Sequence, residues 1–159
     1  LGTLALLLIN FGWGKPVPVD SFNFKNPRKD DALVSISGPL SNFVLAITAS
    51  LILKTVYWFN LNSIAFVTQI FPFLYIFIQT FILLNLALGF FNLIPLPPLD
   101  GEKILLGFLP RNLAIEIEDV LSQYGTIFLI FLLFPFGNQG PLVSTILSPI
   151  ISFLMQLLV

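Results

Sequence analysis

The chain has 159 residues, of which only 9% are charged and 57% are apolar, with a mean hydropathy of +0.97. A soluble domain carries roughly 25% charged residues, so an ordinary water-facing surface is excluded, and a length of this order fits one domain. The formal net charge of −1 and a pI near 5.1 give nucleic acid no polycationic surface, and the lack of cysteine and histidine removes thiolate and imidazole chemistry from within these residues.

Charges are absent from positions 32–53, 55–99 and 120–159. A helix crossing the hydrocarbon layer needs about 20 apolar residues. The pattern therefore predicts an all-α multi-pass membrane protein with about four transmembrane helices and a partial one at the amino terminus. The sequence opens at Leu1 inside an apolar run and its one methionine is Met155. This reads as a fragment, a single membrane-embedded domain over 1–159 that is N-terminally truncated. Leu1–Trp13 has no basic segment before it and reads as the tail of an earlier transmembrane helix rather than a signal peptide.

Next, Pro16 and Pro18 alternate with valines, which forbids helix and predicts a short extended segment near residues 15–24. Asn26–Asp31 is a polar stretch at headgroup level, and Asp30 and Asp31 suit the first turn of a helix. The following span, about Ala32 to Tyr57, carries a lane of small residues, Ser35, Gly38, Asn42, Ala46 and Ala49. In lipid such a lane lets backbones approach, so that face is expected to meet another helix. Tyr57 and Trp58 fit an interfacial belt, and 60–63 a turn.

The third segment, about Ile64 to Phe91, contains Pro72, which predicts a kink or tilt. It runs into 92–101, where Pro95, Pro97 and Pro98 forbid regular helix. Such a loop is tolerated at membrane depth only if protein buries it or water lines it. A short helix over Glu102–Leu109, an interfacial stretch over 110–119, a span ending near Phe136 and a last one over Pro141–Val159 complete the reading. Loops 14–31 and 92–119 hold Lys15, Lys25, Arg28, Lys29, Lys103 and Arg111, against Lys54 near the opposite end. The positive-inside rule makes both loops cytoplasmic and the chain a multi-pass protein of the cell membrane.

Asp100 is the residue that most needs explaining, since it ends a long uncharged run between Leu99 and Gly101. A carboxylate near hydrocarbon costs about 2.5–3.5 kcal/mol at a helix centre unless something compensates it. Either it caps the helix that follows or it serves a functional site. Asn92 has the same two readings, a C-cap after Gly89 or a site residue. Leu96–Leu99 could also serve as a proline-rich ligand. Glu116, Glu118 and Asp119 read as a solvated face.

Asn92-x-x-Pro95-x-x-x-Leu99-Asp100-Gly101 resembles the N-x-x-P-x-x-x-L-D-G signature of the site-2 protease family of intramembrane zinc metallopeptidases. Gly12–Val19, Asn26-Pro27-Arg28 and Gly38–Asn42 are similar to that family in order and approximate spacing. The resemblance implies a zinc ion held by two histidines of a His-Glu-x-x-His helix and by Asp100, with Asn92 contacting substrate or the developing oxyanion. It also implies a transmembrane or membrane-proximal protein substrate, with the lipid bilayer as the other partner. The histidines and glutamate of the pattern are expected upstream of residue 1, so the printed chain alone is expected to be inactive. Pairing of the 15–19 strand edge with an unwound substrate is a further expectation. Two alternatives stay open: a catalytically inactive scaffold of the same fold, and an ion-coupled transporter fragment with Asp100 as the coupling acid.

Overall fold

The computed structural model describes residues 26–60, 65–135 and 140–159, and all its elements are helical. The expected amino-terminal helix tail and the extended segment near 15–24 lie outside those residues. Helix α1 spans Pro27–Trp58, α2 Ala65–Asn92, α3 Asp100–Phe108, α4 Arg111–Val120, α5 Thr126–Leu133 and α6 Leu142–Leu158. A π-helical turn, Leu121–Gly125, joins α4 to α5 without a break.

Helix α1 starts five residues before the expected Ala32. Proline at the first helical position has no N–H to waste and a φ already suited to helix, and Pro27 occupies that position. Asp30 then accepts the backbone N–H of Asn26 at 3.0 Å, closing the entry. Polar composition at headgroup level is therefore compatible with helix here.

The core lies between α1 and α2, where Ala46, Ala49 and Leu53 of α1 meet Ile78, Ile82 and Leu86 of α2. Of the small-residue lane, Ser35, Ala46 and Ala49 are buried, Asn42 is half-buried and Gly38 is exposed. Gly89 lies inside α2 rather than ending it, and a Cβ there would stand 2.7 Å from the Phe43 ring, so glycine allows the two helices to close. Phe43 and Phe90 pack with ring centroids 5.0 Å apart.

Among the described residues two helices are long and apolar enough to cross a membrane, Pro27–Trp58 and the Thr68–Asn92 part of α2. Helix α6, Leu142–Leu158, is apolar but shorter. Arg111, the first residue of α4, shares a cleft with Asn26 at the start of α1. Leu133 at the end of α5 and Val143 near the start of α6 both line a groove with Leu88 and Phe91 of α2. Helix α6 finishes where Lys54 of α1 donates to the carbonyl of Leu157 at 2.9 Å and the Ser50 hydroxyl donates to that of Leu158. Helix α4 thus starts beside the beginning of α1, and α6 finishes beside the end of α1.

Candidate metal centre at Asp100

Helix α3 lies antiparallel along the first turns of α1, and each turn of contact has its own cause. The Arg28 guanidinium donates to the Leu106 carbonyl at 3.2 Å. Gly107 meets Ala32 so closely that an added Cβ would come within 2.3 Å of the alanine methyl. One turn further, Lys103 stands 3.7 Å from the Asp31 carboxylate. Deepest of the series, Asp100 reaches Gly38, where a Cβ would stand 2.9 Å from its Oδ2. At 1.5 Å of rise per residue, Gly38 lies ~17 Å along α1 from its start.

The loop between α2 and α3 is locked from two further sides. A Cβ on Gly101 would fall 2.4 Å from the Leu93 carbonyl oxygen and 2.3 Å from that of Ile94. The Pro97–Pro98 peptide is cis, and Pro97 abuts Gly125 of the π turn, where a Cβ would lie 2.4 Å from the proline ring. Single π turns inside α-helices are frequent at functional sites; this one brings a glycine against the loop. Asp100 is therefore held between α1 and the α4–α5 rod by backbone contacts.

The capping role does not describe Asp100. It is the first residue of α3, which starts two residues before the expected Glu102, and the N-cap is Leu99 with no side-chain cap bond. Among the described residues the Asp100 carboxylate accepts no hydrogen bond. Burial pushes its carboxyl above the usual range, the Lys103 charge opposes this, and Asp31 reinforces it. Glu102 is raised by burial and then by Glu118, with Lys103 opposing.

Asn92 is the last residue of α2 and is half-buried. The chain closes after it through Leu93 N–H to Phe90 O and Ile94 N–H to Phe91 O, so backbone rather than the asparagine side chain finishes the helix. Asn92 and Asp100 stand at the two ends of one loop, with Gly101 resting on the carbonyls just beyond Asn92. No hydrogen bond joins the two side chains. Glu116, Glu118 and Asp119 are largely on the outer surface of α4. The contacts of Gly38 with Asp100 and of Arg28 with α3 escaped sequence reasoning. Their signal is the matching helical spacing of Arg28, Asp31, Ser35 and Gly38 against Asp100, Lys103 and Leu106.

Among the described residues no group of three His, Cys, Asp or Glu could hold a metal ion, and the chain has no histidine. As a single ligand Asp100 fits: it is an oxygen donor without a described hydrogen-bond partner, facing a bare glycine backbone.

Two long apolar helices, with a half-buried carboxylate set against the first of them, define a helical protein of membrane type with a polar site. The profile of Peptidase family M50 matches residues 63–132, which include both Asn92 and Asp100. The chain is 38% identical over 138 residues to "Putative zinc metalloprotease YwhC" of Bacillus subtilis, an alignment covering 86% of this chain and 61% of that protein. It is 35% identical over 112 residues to "Zinc metalloprotease MJ0392" of Methanocaldococcus jannaschii, covering 69% of this chain and 30% of that protein. No solved structure matches the chain. Over these residues the chain is similar to the M50 peptidases, the site-2 protease family, and both relatives are named zinc metalloproteases. It spans about three fifths of the first relative and under a third of the second.

Proposed function

We propose that this chain is part of an integral-membrane zinc metalloendopeptidase that cuts membrane-embedded or membrane-proximal segments of protein substrates in the cytoplasmic half of the bilayer. The observation that carries the reading is the Asp100 carboxylate, set against Gly38 and free of described hydrogen-bond partners. In this reading Asp100 is one zinc ligand. The imidazole ligands and the general base come from polypeptide outside the 159 residues, which contain no histidine. Bound zinc supplies a water of lowered pKa and polarises the scissile carbonyl. Asn92, at the mouth of the same loop, donates its side-chain amide to the substrate carbonyl oxygen, and the bilayer serves as the second partner. The names of the relatives support a protease over the transporter alternative.

The test uses the full-length protein in detergent with a fluorescent single-span substrate. Asp100→Asn is expected to lower stoichiometric zinc, read by elemental mass spectrometry, and to abolish cleavage. Asn92→Ala is expected to keep zinc while lowering kcat about 10²-fold, the scale of losing one oxyanion donor. Full zinc and full activity in Asp100→Asn would refute the assignment.

A further inference from the structure

At the end of the molecule where α1 begins, its first turn and the α3–α4 junction enclose an open cleft of about 950 Å³. Arg28, Lys29 and Arg111 line it, and among the described residues no carboxylate does. Asp30, the acid in the first turn of α1, is committed to the backbone N–H of Asn26, a lining residue, and does not itself line the cleft. Arg28 is tethered by its bond to the Leu106 carbonyl, which fixes one charge in the cleft wall.

Two helices open onto this cleft, α1 at Pro27 and α4 at Arg111, and neither Asn26 nor Pro110 at the N-caps provides a side-chain acceptor. First-turn N–H groups and the positive ends of two helix dipoles therefore coincide with three cations. The rest of the lining includes exposed apolar side chains, Leu33 at 62% and Phe108 at 72%. Below it α1 enters its uncharged run at Ala32. An inorganic anion would use only the charged wall. A phospholipid uses both, with phosphate against the cations and acyl chain along Leu33 and Phe108.

We propose that this cleft is a binding site for the phosphate of an anionic phospholipid headgroup. Native mass spectrometry of the full-length protein, titrated in detergent with phosphatidylglycerol and phosphatidylcholine, tests it. The wild type is expected to hold phosphatidylglycerol about tenfold more tightly than phosphatidylcholine. The double variant Lys29→Gln/Arg111→Gln, which leaves Arg28 and its tether in place, is expected to lose that preference. Lys54→Gln, a cation removed at the other end of α1, is expected to retain it. Millimolar inorganic phosphate is expected to leave the lipid adduct intact. Equal binding of the two lipids, or a preference surviving in the double variant, would overturn the site. Displacement of the lipid by inorganic phosphate would overturn the lipid assignment in favour of the free anion.

Discussion

Two glycines touch the candidate centre, and what each touches separates their roles. Gly38 faces Asp100 Oδ2, the far end of a flexible side chain, whereas Gly101 faces the backbone carbonyls of Leu93 and Ile94. A carboxylate can swing aside, but a loop backbone held by Pro97 against Gly125 has little room to move. Gly38→Ala is therefore expected to leave the melting temperature within a few degrees of wild type while weakening zinc retention against a chelator. Gly101→Ala is expected to destabilise the full-length protein by about 1–3 kcal/mol, the cost of overpacking, and to lower its melting temperature. An equal loss of stability in both would show that Gly38 serves helix packing alone. Asp100 itself was legible in the sequence, because a lone acid beside a long uncharged run has few inexpensive explanations. The reason for its two neighbouring glycines was not, since close approach depends on which backbone lies opposite.

The expected helices formed close to their expected limits, and the departures occur where local rules overrode composition. Pro27 and the Asp30–Asn26 bond started α1 within a polar stretch. The interfacial segment 110–119 became α4 and continued through the π turn into α5, a register change that apolar periodicity does not encode. The end of α6 illustrates a cap supplied by another element. Its last carbonyls have no intrahelical donors, and Lys54 and Ser50 of α1 take their place at Leu157 and Leu158. A cation at a helix C-terminus also suits the macrodipole. Lys54→Met combined with Ser50→Ala is accordingly expected to loosen this end of α6. Hydrogen–deuterium exchange should then speed up in its last turn and leave the α1–α3 contacts unchanged. Unaltered exchange would mean that packing against Leu53 and Ile78 holds α6 without the two bonds.

For the molecule as a whole, charge counting gives a side, and the helix contacts decide which ends share it. Arg28, Lys29 and Arg111 gather at one end of α1, while Lys54 and the close of α6 mark the other. If the first end is cytoplasmic, as the distribution of cations implies, the end of α6 faces away from the cytoplasm. Four alternating crossings would place it on the cytoplasmic side instead. The 159 residues contain no cysteine, so single cysteines can be introduced into them once any elsewhere in the full-length protein are replaced. Lys29→Cys and Asn112→Cys are expected to react with a membrane-impermeant maleimide only after the cells are opened. Asn60→Cys and Leu157→Cys are expected to react in intact cells. Labelling of Leu157→Cys alongside Lys29→Cys would restore the alternating topology and break the Lys54–Leu157 contact. Labelling of all four from one side would refute the crossing by α1, because Lys29 lies in its first turn and Asn60 just past its end, with ~44 Å of helix from Lys29 to Trp58 at 1.5 Å per residue.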